Sequence, residues 1–369
     1  MKFTVNTKPL KNVTNLGIIK ANISRHYHRS SLVQITADCN TLKLNIEASR
    51  IKTEMTLHGS GDGDTAKSII VECTKFKALL DSLDNDVTTL EFVDGGLCIH
   101  AGSSKFVIPQ MLDVNDVQLD TPMDQYHAES TVIIQPRNWQ FIKDHQMFAL
   151  ATKEERPVYR NVWVGADHDV IVGDMDLSLF TLSKRGDFGT SCLLPATLIN
   201  LFASIPEGST VSKVGRSYIL TIATDSYSLV TEFTPKYEDD ESVGSYSSEI
   251  IMSKLVHPAE YVTVDASPVL KFISQTALFR ETDIDKALTF GIADGKLTLA
   301  NKANTYSMSV ATSASYSLLF NADLLKGVLS NLDSNTVNIA PMSDESGKVA
   351  GCIFWTDDLT AILAGTKLV

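Results

Sequence analysis

A threefold internal repeat constrains the fold of this chain more than any other feature. Three segments each read as a strand, an Ala-Asp turn and a second strand: 32–46, 162–174 and 288–301. The turns recur at a spacing of about 128 residues, at Ala37-Asp38, Ala166-Asp167 and Ala293-Asp294. Three such pairs in phase do not arise by chance, and the period has the size of a domain rather than of a solenoid unit. The pattern therefore predicts three copies of one domain.

A second marker recurs within the same frame. Three segments run from a helix through a polar turn into a strand: LLDSLDNDVTTLEF (79–92), LFASIPEGSTVSKV (201–214) and LLKGVLSNLDSNTVNI (324–339). Each repeat is thus predicted to contain two helices packed against antiparallel strands, which is an α+β fold. The predicted helices are 8–18, 74–83, 136–153, 194–204, 267–280 and 322–332.

The predicted domains are 1–125, 126–250 and 251–369, with linkers near 112–130 and 235–255. The second linker begins with the acidic, Ser- and Gly-rich run PKYEDDESVGSYSS, and we expect it to be solvated. Proline lies near the start of the first helix of every repeat, where a missing N–H is harmless. These prolines are Pro9, Pro136 and Pro268.

Composition limits the class of protein. The five cysteines are scattered and never form a C-x-x-C pair, which favours reduced thiols in the cytoplasm over disulfides or zinc. No apolar run reaches the roughly 18 residues that span a bilayer, and the amino terminus has no apolar signal-peptide core. A formal net charge of −12 argues against nucleic-acid binding if the charge is evenly spread. The placement of the basic residues therefore decides that question.

The sequence offers little catalytic chemistry. GSGDGDT (59–65) lacks the lysine of a phosphate loop and the trailing acid of a calcium loop, so we expect a hairpin turn there. RHYHR (25–29) presents two histidines with no residue placed to complete a metal site. We therefore predict no catalytic residues, no metal and no cofactor, and a protein that is not an enzyme.

The repeat resembles the bacterial-type DNA polymerase III beta subunit, the sliding clamp, over essentially the whole chain. The resemblance is carried by the opening MKFTV, by RPVYRNV (156–162) and by AILAGTKL (361–368), with SIIVECTKFKALLDSLD (68–84) and SSKFVIP (103–109) in family order. It implies a head-to-tail homodimer that closes a ring around duplex DNA, with helices lining the hole. It also implies partners: double-stranded DNA bound without sequence preference, a DNA polymerase and a clamp loader.

Three sets of residues follow from the resemblance. The basic residues expected to face DNA are Lys8, Lys11, Lys20, Arg25, Lys75, Lys77, Arg137, Lys143, Lys271 and Lys326. For any single lysine, an ordinary solvated helix face explains it equally well. The residues expected in the dimer interface are Phe106, Ile108, Leu278 and Phe279. The residues expected to line a groove for partner peptides are Tyr159, Asp174, Leu177, Leu179, Pro235, Ile362 and Ala364.

The groove departs from the family pattern. GDMDLSL (173–179) replaces the usual Thr-Asp-Gly/Ser-His-Arg-Leu run, and Gly365-Thr366 replaces the usual Pro-Met. We therefore expect a divergent clamp with altered peptide specificity. The main alternative is a ring- or tube-forming structural assembly protein, which would share the repeat without tethering anything to DNA. An enzyme with a site between domains is disfavoured by the missing catalytic groups.

Overall fold

A computed structural model describes residues 1–15, 32–48, 51–111, 119–151, 157–174, 178–234, 248–278, 286–344 and 346–365. Lys20, Arg25, Leu177, Pro235 and Phe279 lie outside these residues, as does the RHYHR segment. The described residues form seven α-helices and four antiparallel sheets. The α+β fold expected from the repeat is confirmed.

Six of the seven helices correspond to predicted ones, although the helix predicted over 136–153 ends at His145. The helix Ser248–Lys254 was not predicted. In chain order the helices are α1 Thr7–Asn15, α2 Cys73–Asp81, α3 Pro136–His145, α4 Ala196–Ser204, α5 Ser248–Lys254, α6 Ala266–Ala277 and α7 Ala322–Asn331. Asp265 caps α6 by accepting a hydrogen bond from the Ser267 N–H at 2.8 Å. Asn321 caps α7 by accepting a hydrogen bond from the Asp323 N–H at 2.9 Å.

The strands of the first third of the chain are β1 Lys2–Asn6, β2 Leu32–Ala37, β3 Thr41–Ala48, β4 Ile51–His58, β5 Ser60–Gly61, β6 Lys67–Glu72, β7 Val87–Val93, β8 Gly96–Ala101 and β9 Ser104–Pro109. Those of the second third are β10 Ser130–Ile133, β11 Asn161–Val164, β12 Val170–Asp174, β13 Leu179–Ser183, β14 Cys192–Pro195, β15 Thr210–Val214, β16 Ser217–Ala223 and β17 Tyr227–Phe233. The last third contains β18 Val262–Asp265, β19 Ala287–Ala293, β20 Lys296–Ala300, β21 Thr305–Ser309, β22 Tyr316–Asn321, β23 Thr336–Ser343, β24 Val349–Trp355 and β25 Leu359–Ala364.

Strand order repeats three times along the chain. The four sheets have the orders β5-β1-β7-β8-β9, β10-β15-β16-β17-β4-β3-β2-β6, β14-β11-β12-β13-β25-β24-β23-β18 and β21-β20-β19-β22. Each third of the chain supplies two four-stranded blocks of matching order. The blocks β1-β7-β8-β9, β10-β15-β16-β17 and β18-β23-β24-β25 correspond, and so do β4-β3-β2-β6, β13-β12-β11-β14 and β21-β20-β19-β22.

The two eight-stranded sheets form where blocks from successive thirds join. β17 pairs with β4 over seven residues, and β25 pairs with β13 over five. The same two strand types therefore meet at both junctions. The strands of those types that have no such partner among the described residues are β9 and β21, which lie at sheet edges.

The chain divides into two compact units. Residues 1–140 and 197–235 form unit 1, and residues 141–196 and 236–369 form unit 2. In unit 1 the core contains Trp139, whose ring lies 5.0 Å from that of Phe202. In unit 2 the rings of Phe290 and Phe320 lie 5.8 Å apart. All four of these side chains are fully buried. Each unit therefore has its own aromatic core.

The Ala-Asp turns have the predicted strand-turn-strand structure. The Asp38 carboxylate accepts hydrogen bonds from the N–H groups of Asn40 and Thr41 and from the Thr41 hydroxyl, which closes the turn between β2 and β3. Asp294 has a φ of 50° and is followed by Gly295 at 68°, so this turn uses the left-handed region that Asp and Gly tolerate.

Two local predictions were wrong. The 235–255 segment is not a linker throughout, because α5 occupies Ser248–Lys254 and both Ile251 and Leu255 are buried. The acidic run that was expected to be solvated lies outside the described residues over 235–247. GSGDGDT is not a simple hairpin turn, because Ser60 and Gly61 form β5 and pair with β1. A Cβ on Gly59 would lie 2.4 Å from the Thr4 carbonyl oxygen, so close backbone approach explains this glycine.

Within the part of the chain that the structure describes, no helix is long and apolar enough to cross a bilayer.

Thiol reactivity tests the burial pattern. Cys39 is exposed, whereas the other four cysteines are buried, and burial raises the pKa of Cys73 and of Cys352 to about 12. We expect one thiol per native chain to react rapidly with an aromatic disulfide reagent, and all five to react after denaturation. Rapid reaction should be absent from Cys39→Ser, and a second fast thiol in the native protein would contradict the burial pattern.

Candidate partner groove, basic helices and strand edges

An apolar groove lies within unit 2. It encloses a cavity of about 270 Å³, and apolar side chains predominate on its walls. Its lining residues are Ser178, Phe180, Ile251, Lys254, Met342, Ser343, Asp344, Ala350, Ile362 and Ala364. A concave apolar surface with a few polar groups at its border is the usual form of a site for a small ligand or peptide side chain.

Strand register produces this surface. Phe180 on β13 pairs with Ile362 on β25, and Ile362 pairs with Ile353 on β24. Directly paired residues share one face of a sheet, so the three side chains form a row across the junction. Ile251 and Leu255 join the same buried cluster, so α5 contributes to the apolar face.

The structure brings only part of the predicted groove together. Ile362 and Ala364 line the cavity as expected. Tyr159 lies behind it, 5% exposed, with its ring 6.1 Å from that of Phe180. Asp174 and Leu179 are buried and do not line the cavity, while Leu177 and Pro235 are outside the described residues.

Sequence reasoning missed Phe180, Ile251 and Met342. Phe180 directly follows the predicted Leu179, and neighbouring residues on a strand point to opposite faces. Asp344 was also missed. A hydrogen bond from the Ser346 hydroxyl, followed by one from the Lys348 N–H, holds the pKa of this carboxyl below its ordinary value. Asp344 therefore places a negative charge in the lining of the groove, which also contains Lys254.

Eight of the ten predicted DNA-facing residues lie on helices, and the other two, Lys20 and Arg25, are outside the described residues. Lys8 and Lys11 are on α1, Lys75 and Lys77 on α2, Arg137 and Lys143 on α3, Lys271 on α6 and Lys326 on α7. Six of these eight side chains are exposed: Lys8, Lys75, Arg137, Lys143, Lys271 and Lys326. They are therefore able to contact a polyanion.

The remaining two basic side chains are held by the protein itself. Lys11 donates to the carbonyl oxygens of Asp81 and Leu83, which ties α1 to the end of α2. Lys77 is only 12% exposed and forms an ion pair with Asp81 at 2.8 Å. These two lysines help to assemble the helix pair and are less available to DNA than the other six.

The edge strand β9 carries exposed apolar side chains. Phe106 is 40% exposed and Val107 is 59% exposed, whereas Ile108 is 4% exposed and packs into the core of its own sheet. Of the two interface residues predicted on this strand, only Phe106 is therefore presented to solvent.

The edge strand β21 and the end of α6 present the other predicted surface. Leu278 is 82% exposed at the end of α6, and Phe279 lies outside the described residues. Tyr306 on β21 stacks on Phe272 of α6 with ring centroids 5.8 Å apart. The Tyr306 ring therefore lies on the face of β21 that is directed toward α6.

Comparison with solved structures identifies the fold. The chain superposes on a DNA polymerase III beta subunit from Thermotoga maritima with a TM-score of 0.78 at 15% identity, covering 100% of both chains. It superposes on a beta subunit from Eubacterium rectale with a TM-score of 0.76 at 13% identity, again over both full chains. The chain has the sliding-clamp fold. The resemblance inferred from the repeat is thus confirmed at the level of fold.

A third clamp bears on the groove. The Caulobacter crescentus beta sliding clamp matches with a TM-score of 0.76 at 15% identity over 100% of both chains, and polyethylene glycol is bound to its proposed beta-motif tethering region. No protein-family model matches the sequence. No curated protein matches it. The low identities make this chain a divergent example of the clamp fold.

A second cavity of about 330 Å³ lies in the same unit of this clamp fold. It is lined by Leu182, Ser183, Lys184, Arg185, Leu255, His257, Asp357, Asp358, Leu359 and Thr360. His257 stacks on Trp355 with centroids 4.7 Å apart, and its Nε2 lies 2.8 Å from the Thr360 hydroxyl. Partial burial lowers the pKa of His257 below its ordinary value of 6.5. The fold thus favours the neutral ring.

Acid should therefore weaken the clamp fold through His257. A lowered folded-state pKa means that its contribution to stability is present above pH 6.5 and is lost as pH falls through the folded value. We expect His257→Gln to reduce the loss of stability between about pH 7 and about pH 5, measured by urea unfolding. His127→Gln, which changes an exposed histidine of unit 1, should leave the pH dependence as in the unmodified protein. Equal pH profiles for all three proteins would contradict this role.

Proposed function

We propose that the protein is a DNA sliding clamp: a homodimeric ring that encircles duplex DNA and tethers a polymerase and other partners through the groove of unit 2. The observation that carries the proposal is the complementarity of the edge strands β9 and β21. They are of the two types that pair with each other at both junctions inside the chain. A chain with one unfilled edge of each type is suited to bind a second copy head to tail.

The two internal junctions share one register. At the first junction, Tyr227 at the start of β17 pairs with Leu57 of β4. At the second, Leu359 at the start of β25 pairs with Ser183 of β13. Leu57 and Ser183 hold equivalent positions in the repeat. A backbone hydrogen bond closes each Ala-Asp turn, and Leu57 and Ser183 each pair with the residue that directly follows the acceptor of that bond. The junction geometry is therefore a property of the repeat.

The same register applied to a second copy aligns Ser104 of β9 with Met308 of β21. Met308 holds the place of Leu57 and Ser183, since it pairs with the second residue after its own Ala-Asp turn. The alignment sets Phe106 opposite Tyr306. Both are aromatic side chains, and Phe106 is 40% exposed in the single chain. Pairing would bury this apolar surface, which supports a specific contact.

Closure requires a repeated unit. We propose that the three thirds of the chain are the domains 1–125, 126–250 and 251–369, a division supported by the threefold repeat of strand order. Two copies then supply six similar units, and a heterologous contact closes when the rotation per unit divides the circle.

The proposal assigns the exposed basic residues of the helices to the DNA phosphates. Sliding requires contacts with phosphates and no readout of bases, and scattered lysines and arginines meet that requirement. The net charge of −12 is then carried mainly by turns and the 235–255 segment, such as Glu238–Glu241. A negative exterior disfavours DNA binding anywhere except the basic surface.

The groove suits a short peptide with apolar side chains. Phe180, Met342 and Ile362 provide the apolar surface, and Lys254 with Asp344 provides charges of both signs. Polymerase and clamp-loader segments are the proposed occupants, supported by the ligand at the tethering region of the Caulobacter clamp. The unusual run 173–179 supports altered specificity.

The protein is proposed to act without catalysis, because a closed ring holds its partners on DNA by topology. The cytoplasmic location stays a prediction from the cysteine pattern. A structural assembly protein is the alternative. It would account for the repeat but not for exposed basic residues on five helices together with an apolar groove.

A disulfide across the proposed interface tests both register and topology. In a Cys39→Ser background, Lys105→Cys with Ser307→Cys places two thiols directly opposite each other. We expect rapid oxidation to a covalent dimer of twice 40.3 kDa. Oxidised in the presence of nicked circular DNA, the ring should stay on the circle in detergent and leave when the circle is linearised.

The control pair combines Lys105→Cys with Ser309→Cys and leaves Ser307 unchanged. Its two thiols are two residues out of register. Cα atoms so placed lie beyond the usual limit of about 7 Å for a disulfide, so oxidation should be much slower. A covalent dimer that forms but is not retained on circular DNA would overturn the clamp proposal. Equal oxidation of both pairs would overturn the register.

Peptide binding tests the groove. We expect a fluorescent peptide carrying a bacterial polymerase's clamp-binding motif to bind more weakly than it binds a typical bacterial clamp. Met342→Glu should weaken the binding at least about tenfold, because it places a charge in the apolar cavity. Fluorescence anisotropy measures both effects.

The matched control is Met123→Glu, which changes an exposed methionine of unit 1 and should leave the affinity unaltered. Full-strength binding of the peptide would remove the case for altered specificity. Binding that survives Met342→Glu would place the peptide outside this groove.

A further inference from the structure

A cluster of three potential metal ligands lies on one face of the five-stranded sheet, within unit 1. Glu91 on β7 pairs directly with Cys98 on β8, and His100 follows Cys98 by two residues. All three side chains therefore point to the same face. Neither the groove nor the strand-edge contact uses them.

The three ligand atoms converge. The His100 Nε2 atom lies 2.7 Å from Glu91 Oε2 and 3.4 Å from Cys98 Sγ, and all three atoms lie within 4.8 Å of one another. In a tetrahedral zinc site, bonds of 2.0–2.3 Å separate neighbouring ligand atoms by roughly 3.3–3.8 Å. Small side-chain rotations would bring the cluster to that spacing. It is the one such group among the described residues.

The geometry favours a metal over a nucleophilic relay. A Cys-His-Glu relay needs the thiol on one imidazole nitrogen and the carboxylate on the other. Here both partners approach the same nitrogen, Nε2. When both partners contact one nitrogen, the ring cannot pass a proton from the thiol to the carboxylate. Three ligand atoms that converge in this way can instead surround a single cation.

The surroundings can orient the carboxylate and leave an open position. The ammonium groups of Lys2 and Lys105 each lie 3.8 Å from the Glu91 carboxylate and can orient it. A cavity of about 500 Å³ opens beside His100 and leaves room for a water ligand.

We propose that Glu91, Cys98 and His100 bind one divalent transition-metal ion, with Zn²⁺ the preferred ion. A thiolate, an imidazole and a carboxylate together match the borderline character of zinc, and the two anionic ligands neutralise its charge. Binding releases the thiol proton of Cys98. The site is independent of the clamp proposal, and it revises the expectation of no metal.

Cobalt substitution tests the proposal on the full-length chain. Added Co²⁺ should produce a near-ultraviolet sulfur-to-cobalt charge-transfer band that saturates at one ion per chain and disappears when Zn²⁺ is added. We expect Cys98→Ser to abolish the band. His100→Gln should weaken Co²⁺ binding at least about tenfold. Loss of a direct metal ligand lowers the affinity no less than loss of a residue that only orients a ligand.

Cys39→Ser is the matched control, because Cys39 is the exposed thiol. Its band should equal that of the unmodified protein. Zn²⁺ should also raise the thermal unfolding midpoint of the unmodified protein but not of His100→Gln, which covers the case in which Cys98→Ser fails to fold. The proposal is overturned by the absence of a sulfur band, by its persistence in Cys98→Ser, or by its loss in Cys39→Ser.

Discussion

Backbone pairing between strands of successive repeats is the interaction on which the rest of this structure depends. A four-stranded block on its own would expose an edge of unpaired N–H and C=O groups. Here β4 pairs with β17 and β13 pairs with β25, so the backbone N–H and C=O groups along these edges are hydrogen-bonded. Each junction also buries apolar residues of both blocks. The groove exists because of such a junction, since Phe180 and Ile362 come from opposite sides of it.

Buried polar groups help to set the register of these junctions. Thr53 and Thr231 are paired across the first junction, are fully buried, and lie 3.1 Å apart through their hydroxyl oxygens. At the second junction, Ser183 donates to the buried Gln146 side chain at 2.7 Å. A shift of one residue would leave these groups unpaired in the core and would turn every apolar side chain to the wrong face. Register is thus specified by both packing and hydrogen bonding.

Much of the fold was predictable because its signals are local. The Ala-Asp turns depend on residues that are adjacent in sequence, and the strand-turn-strand structure predicted for them was confirmed. Helix α5 was not predicted, because the acidic, Ser-rich run before it indicated a linker and its own apolar pattern is short. The groove was predicted only in part because composition does not show which residues of β13 point to which face of the sheet. The Glu91–Cys98–His100 cluster was missed for a related reason, since it exists only across a strand pair.

The same physics explains how the clamp fold persists here at 11–16% identity to solved clamps. Main-chain pairing and alternating burial hold the junctions together, and both tolerate exchange of one apolar side chain for another. The charged residues at the border of the groove take no part in that pairing, since Lys254 lies on α5 and Asp344 follows the end of β23. Under the proposed function, exchanges at this border and in the run 173–179 would alter which peptide binds, while the paired strands that form the framework stay the same.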